Sequence, residues 1–366
     1  MNMDVVLDGL FSQNGSYDYD DSYEYKEDIE PGASKAVLAP VLYFLELIVG
    51  LLGNGLLLAI LAKKRRSWSI SDTFILHLCV ADILLLVTLP FWAVQAVQQY
   101  GWSFGGFLCK ISGAVFNINF YCGIFLLVCI SLDRHLSIFH ATQLFSQKNP
   151  RLAHMSCLLV WLASLILTIP DCVFLVARKD PAQAKTVCVH SYSQSGTDWQ
   201  LVSRLLHHTL GFLLPAAALI FCCSRVLLRL RRSSDGLREQ RAVTFTLPLV
   251  VVFFLCWLPY NITLIVDTFR SRSKQPDQPE SSLTTALAVT SALGCVHACL
   301  RPLLYFGLCR NVRKQTLAMF RHAKVESESS LWGLGVGKEA LPDQNPEGEV
   351  LKQMTSTDHQ VQSTQC

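Results

Sequence analysis

Seven apolar stretches, each closed by charge or turn residues, take up most of this 366-residue chain. They run over Ala36–Ala62, Ser71–Gln98, Gly106–Phe139, Leu152–Val176, Gln200–Leu230, Ala242–Phe269 and Ser282–Gly307. A helix of about 20 apolar residues crosses the hydrocarbon core of a bilayer, so the pattern predicts a polytopic membrane protein. The expected fold is all-α: a seven-transmembrane helix bundle over residues 36–307, then a short amphipathic helix on the inner leaflet over 308–322. In that last segment Leu308, Val312, Leu317 and Phe320 share one face opposite Arg313 and Lys314, the pattern of a helix lying on a membrane surface. Residues 1–35 form an acidic, tyrosine-rich tail, and residues 323–366, rich in Ser, Thr, Gly, Glu and Gln, read as a disordered cytoplasmic tail.

Hydrophobic residues make up 51% of the chain and charged ones 16%, so the charges crowd into the connections and their arrangement sets the orientation. Basic clusters follow the first span (Lys63, Lys64, Arg65, Arg66) and the last (Arg310, Arg313, Lys314, Arg321). Others flank the third-to-fourth connection (Arg134, Lys148, Arg151) and the fifth-to-sixth (Arg229, Arg231, Arg232, Arg238, Arg241). All fall on one side, which the positive-inside rule makes cytoplasmic. The expectation is a multi-pass plasma-membrane protein with an extracellular N-terminus. The basic residues read as topology signals and contacts to anionic membrane lipids, not as a nucleic-acid site. Residues 1–35 lack a basic segment leading into an apolar core, so the first span is expected to serve as its own insertion signal.

Of the fourteen cysteines, most lie inside spans, where Cys behaves as a small buried hydrophobe. Cys109 and Cys188 sit at the extracellular edge, in an oxidising compartment, and are the natural disulfide pair. Cys309, after the last span, is either a palmitoylation site or a plain membrane-facing cysteine. No Cys/His pair has zinc-ligand spacing in a loop, and no metal or other cofactor is expected. In the outer tail Tyr17, Tyr19, Tyr23 and Tyr25 alternate with Asp18, Asp20, Asp21, Glu24, Glu27 and Asp28. Such a polyanion studded with rings suits the steering and holding of a basic partner. Its acidic surroundings make the tyrosines candidates for sulfation, against the plainer reading of a solvated tail. Asn14-Gly15-Ser16 is an N-glycosylation sequon on the outer side.

Ionisable groups inside a membrane are costly and point to function. Asp82 lies midway along the second span, Asp133-Arg134 at the cytoplasmic end of the third, and Arg301 in the inner half of the seventh. Asp133 and Arg134 can satisfy one another. Arg301 is best neutralised by Asp82, provided that the second and seventh helices touch. The alternative has it snorkelling to the inner interface, which the further helix below it, through Pro302 and Tyr305, disfavours. Pro90, Pro170, Pro215, Pro259 and Pro302 each interrupt a span and introduce kinks. The lack of an internal repeat argues against a secondary transporter. Facing spans carry no nucleophile with its base and no aspartate pair of the kind an intramembrane enzyme needs.

Taken in order, Gly53-Asn54, Leu78-Cys-Val-Ala-Asp82, Asp133-Arg134-His135, Trp161, Pro215, Cys256-Trp257-Leu258-Pro259 and Arg301-Pro302-Leu303-Leu304-Tyr305 place one signature in each span. The set resembles the class A (rhodopsin-like) G-protein-coupled receptors over the whole bundle. Thr88-Leu-Pro-Phe-Trp92, Trp102 with Cys109-Lys110, and Asn117-Ile-Asn-Phe-Tyr121 are similar to the chemokine receptors. Phe116-Asn-Ile-Asn-Phe-Tyr121, His140-Ala-Thr-Gln-Leu144 and Gly211-Phe-Leu-Leu-Pro215 resemble the type 3 branch of the CXC chemokine receptor family. The resemblance implies a receptor and not an enzyme. Its ligands would be CXC chemokines, small basic proteins gripped by the acidic tail while their mobile N-terminus enters the bundle. Its intracellular partners would be a heterotrimeric G protein of the Gi class, with arrestin and receptor kinases acting through Ser327, Ser329, Ser330, Thr355, Ser356 and Thr357. By the same resemblance Tyr43, Trp92, Phe116, Asp171, Tyr260 and Asp267 would line the ligand pocket, and Trp257 beside Pro259 would be the buried rotamer sensor.

Three positions depart from the family pattern. Its Asp-Arg-Tyr is Asp133-Arg134-His135 here, its Asn-Pro-x-x-Tyr begins with Arg301, and the tyrosine usual in the inner half of the fifth span is Cys223. In related receptors that tyrosine and the counterpart of Tyr305 hold the arginine matching Arg134 in its active position. A guanidinium beside Asp82 would also fill the pocket in which the family holds a sodium ion. The departures imply weak G-protein coupling and a scavenging role that binds and internalises chemokine. A conventional Gi-coupled receptor driving calcium signalling and chemotaxis is the alternative, since Arg134, Trp257 and Tyr305 remain.

Overall fold

The computed structural model describes residues 31–63, 70–97, 101–140, 150–180, 185–192, 198–232, 237–273, 280–309, 312–314, 316–317 and 321. Asn14, Tyr17, Tyr19, Tyr23, Tyr25 and the serine and threonine clusters after residue 322 lie outside them. The helices are α1 (Pro31–Lys63), α2 (Ile70–Leu86), α3 (Leu89–Ala96), α4 (Gly105–His140), α5 (Pro150–Phe174), α6 (Trp199–Leu206), α7 (Leu214–Arg232), α8 (Leu237–Ser273) and α9 (Glu280–Leu308). They supply seven spans long and apolar enough to cross a membrane, the second built from α2 and α3 and the fifth from α6 and α7.

Side chains such as Leu52, Ile166, Phe221 and Leu255 stay exposed on the outside of the bundle, where lipid is as apolar as the interior. Hydrophobicity therefore does not choose which helices touch; close packing and polar pairing do. Helix α4 is the hub, packing on α2, α5, α7 and α8, while α9 packs on α1, α2 and α8. That arrangement brings the second and seventh spans together. Phe120, Ile124 and Leu127 of α4, Phe253 and Trp257 of α8 and Tyr305 of α9 share the central core.

Two spans are not single helices. The second breaks after Leu86 because Pro90 has no N–H to donate; Thr88 Oγ1 and N both turn back to Leu85 O, at 2.7 and 2.9 Å. The fifth contains a π-helical segment, His207–Leu213, immediately before Leu214 and Pro215. Pro170, Pro248, Pro259 and Pro302 lie inside continuous helices.

The all-α expectation omitted a small antiparallel hairpin, β1 (Leu175–Asp180) and β2 (Lys185–His190), with Ala177 opposite Cys188. The Cys109–Cys188 disulfide ties β2 to the start of α4, as the sequence predicted. Lys110 Nζ donates to Cys172 O and Val173 O at 2.9 Å, satisfying carbonyls that the end of α5 leaves open. Trp102 N donates to Thr186 O at 2.6 Å. Gly101, at φ 60°, permits that approach, because a Cβ there would stand 2.6 Å from the same oxygen.

Past α9, Arg313 N donates to Cys309 O at 3.0 Å, and residues 312–314 and 316–317 are helical. Val312 packs on the central cluster while Arg313 and Lys314 are exposed. Cys309 itself is buried, 2% exposed, in the central cluster, so neither membrane-surface reading of this thiol holds. It lies one turn beyond Tyr305 and follows that side chain inward.

Candidate functional site

The polar centre of the bundle is built on Asp82. Arg301 Nη1 donates to its Oδ2 at 2.8 Å and Asn119 Nδ2 to its Oδ1 at 3.0 Å. His297 Nε2 stands 3.7 Å from Oδ1. The side chains of Asp82 and Arg301 are 0% and 5% exposed, so the pairing expected from the sequence forms, and Arg301 does not snorkel. Helix geometry explains the convergence: His297 and Arg301, four residues apart, share a face of α9. Gly123 of α4 leaves room for the guanidinium, since a Cβ there would come within 3.2 Å of Phe253 and 3.5 Å of Arg301 Nη2.

Nearer the hairpin is a second cluster, on α4, α5, α6 and α8. Asp171 accepts from Asn117 Nδ2 at 3.1 Å and from Ser203 Oγ at 2.6 Å, with His190 Nε2 4.0 Å away. Loss of hydration holds the His190 imidazole below its usual range, opposed in part by the Asp171 carboxylate. The hydrogen-bond donors to Asp171, an amide and a hydroxyl, are both neutral. Asp267 lies 3.4 Å from Arg204 Nη2. Phe116 stands edge-on to Trp257 and Tyr260, at centroid distances of 5.3 and 5.5 Å. Trp92 lies 5.6 Å from Trp102, and Tyr43 is buried against the cluster of Leu85, Leu89 and Cys295. Of the six residues assigned to a pocket, Asp171 and Asp267 meet α6, Tyr43 and Trp92 belong to the packing of α1, α3 and α9, and Phe116 bridges that packing to Tyr260 of α8.

At the opposite end, Arg134 Nη2 approaches Asp133 Oδ2 at 3.9 Å, close enough for attraction but too long for a hydrogen bond. Cys223 lines a small, half-open cleft with Ser131, Arg134, Cys222, Val226, Leu227, Thr246 and Leu247. His135 is buried, with its ring 4.7 Å from Phe139 and 5.7 Å from Phe221. Trp257 is wholly buried, and so is Tyr305, at 2% exposure.

A family model described as the 7 transmembrane receptor (rhodopsin family) matches residues 53–305. The chain is 42% identical to the C-X-C chemokine receptor type 3 of Homo sapiens over 302 residues, 80% of each chain. It is 42% identical to the type 3 receptor of Bos taurus over 303 residues, 80% of this chain and 81% of that one. It is 38% identical to the C-X-C chemokine receptor type 1 of Oryctolagus cuniculus over 283 residues, 76% and 78% of the two chains. The chain belongs to the C-X-C chemokine receptors. In the receptor Asp82 lies on α2, Arg134 on α4, Trp257 on α8 and Tyr305 on α9, the spans in which the sequence placed them. Sequence reasoning quoted Asn117 and Asn119 within a motif but gave them no role, and assigned none to Ser203, Arg204, His207, Asn261 and His297; all seven are buried in the receptor's spans. The rule that polar groups inside a membrane need partners would have found them had it been extended from carboxylates to amides and imidazoles.

Proposed function

We propose that this receptor lies in the plasma membrane with its N-terminus outside, binds small basic CXC chemokines, and clears them from the medium while coupling only weakly to Gi. The observation that carries the reading is the buried pair of Arg301 and Asp82 at 2.8 Å. Removing one partner of a buried pair typically costs about 3–5 kcal/mol, because the other charge is left without compensation. If activation parts α9 from α2, a bias of about 3 kcal/mol lowers the active population roughly 100-fold. Cys223 adds to the effect: a thiol lines the cleft that Arg134 also borders, where the family resemblance has a phenol.

The family's sodium ion does not fit beside Asp82. The carboxylate meets N–H donors from Arg301 and Asn119, and the guanidinium supplies the positive charge that an ion would bring.

Chemokine recognition runs from the acidic tail, residues 1–35 with Tyr17, Tyr19, Tyr23 and Tyr25, sulfated and glycosylated at Asn14, to Asp171 and Asp267 in the bundle of residues 36–307. Arrestin and receptor kinases act on the tail of residues 323–366 to drive uptake, and the helix of residues 308–322 rests on the inner leaflet. A conventional Gi-coupled receptor is the second reading, supported by Arg134 and Trp257 remaining in place. The discriminating experiment follows labelled chemokine in the medium of expressing cells. Scavenging removes ligand steadily without a calcium response; a calcium response with no depletion favours the second reading.

A further inference from the structure

Beside the π-helical segment His207–Leu213, three buried side chains that the activation motifs do not include form one line. Tyr121 OH lies 2.9 Å from His207 Nδ1, and His207 Nε2 lies 3.2 Å from Asn261 Oδ1. Asn261 Nδ2 donates to Trp257 O at 3.0 Å. Tyr121, His207 and Asn261 are 1%, 3% and 1% exposed. Chemistry fixes every proton in this chain. A carbonyl oxygen only accepts, so Asn261 turns its amide nitrogen to Trp257 and its oxygen to His207. His207 must then carry its hydrogen on Nε2, which leaves Nδ1 as the acceptor for the Tyr121 hydroxyl. The polarity runs one way, from α4 through the fifth span to the backbone of α8 beside Pro259.

The local fold serves this arrangement. A π-helical turn inserts an extra residue and shifts the helix face by one position. It places Gly211 under Tyr121, where a Cβ would stand 2.3 Å from the Tyr121 ring. Phe120 stacks on His207 at 4.9 Å and touches Trp257 at 4.8 Å, packing apolar surface around the polar line. One turn before His207, the same span holds Ser203 on Asp171 and Arg204 beside Asp267.

We infer that His207 is a positioning residue which passes the state of the Asp171–Asp267 cluster to the Trp257 region of α8 through this one-way hydrogen-bond line. The inference rests on the reading that those two carboxylates face the ligand. A displacement of α6 moves His207 directly, since the helix continues into the π turn, and His207 is tied through Asn261 to the backbone of α8 beside Pro259. A packing role alone would need only the ring.

Two substitutions separate the possibilities in full-length receptor held in lipid nanodiscs. His207→Gln keeps an acceptor oxygen for Tyr121 and a donor nitrogen for Asn261, but loses the aromatic stack on Phe120. His207→Phe keeps the stack and loses both hydrogen bonds. Hydrogen–deuterium exchange over Phe253–Asn261 without ligand is the first readout. His207→Gln is expected to exchange within about twofold of the native chain and His207→Phe at least tenfold faster, with Tyr121→Phe, which removes one hydroxyl, following His207→Phe. The reverse order, or equal effects, overturns the inference. Should His207→Phe fail to fold, Tyr121→Phe alone decides: native-like exchange overturns the inference, and faster exchange upholds it. Binding of labelled chemokine is measured beside it. Loss of binding in the native receptor would sink the ligand reading while leaving the exchange comparison able to judge the relay.

Discussion

Arg301 Nη1 lies 2.8 Å from Asp82 Oδ2 with both side chains almost wholly buried, which couples the seventh span to the second by charge. Arg301→Ala leaves Asp82 with Asn119 as its hydrogen-bond donor and no adjacent positive charge except through protonation of His297. The expected loss is about 3–5 kcal/mol, read as a fall in melting temperature of purified receptor. Asp82→Asn is expected to cost a similar amount. The double substitution Asp82→Asn with Arg301→Asn should recover most of the loss, and additive effects in this cycle would show that the two residues do not interact.

A pocket already holding a guanidinium has no use for sodium. Chemokine affinity and melting temperature are expected to be equal in sodium chloride and choline chloride at matched ionic strength. Arg301→Asn should make both quantities rise or fall with sodium. A sodium response in the native chain would contradict the pairing.

The Cys109–Cys188 disulfide spans 79 residues and fixes β2 across the hairpin end. Cys188→Ser is expected to destabilise by about 2–4 kcal/mol and to lower chemokine binding at least tenfold, measured at equal surface expression. Binding that survives mild reduction of the native receptor would separate the hairpin from ligand recognition.

Asp171 takes hydrogen bonds from Asn117 and Ser203. Asp171→Asn turns an amide towards one of those donors and removes the charge. A fall of at least tenfold in chemokine affinity is expected, in the range of a lost buried charge contact, while cell-surface amount holds. Equal affinity would remove this carboxylate from the ligand path.

The seven spans were legible because bilayer thickness imposes one length on each of them. The Arg301–Asp82 pair was legible because a charge in lipid needs a counter-charge, and few candidates existed. The π turn at His207–Leu213 was not, since a one-residue slip of the helix face leaves no mark in the order of residues. The hairpin escaped for a related reason: only β2, with Thr186, Val187 and Val189, shows a β-branched cluster, and Leu175 and Val176 read as the end of the fourth span. Arg204 and His297 were visible as residues, yet their partners lie on helices whose contacts only the folded bundle reveals.

The most direct test of the account compares chemokine-stimulated G-protein activation by the native chain with that of the variant combining Arg301→Asn, His135→Tyr and Cys223→Tyr, with labelled-chemokine binding as the control. The account predicts similar binding by both and G-protein activation at least tenfold stronger in the variant. Equal and strong activation by the native chain would contradict it.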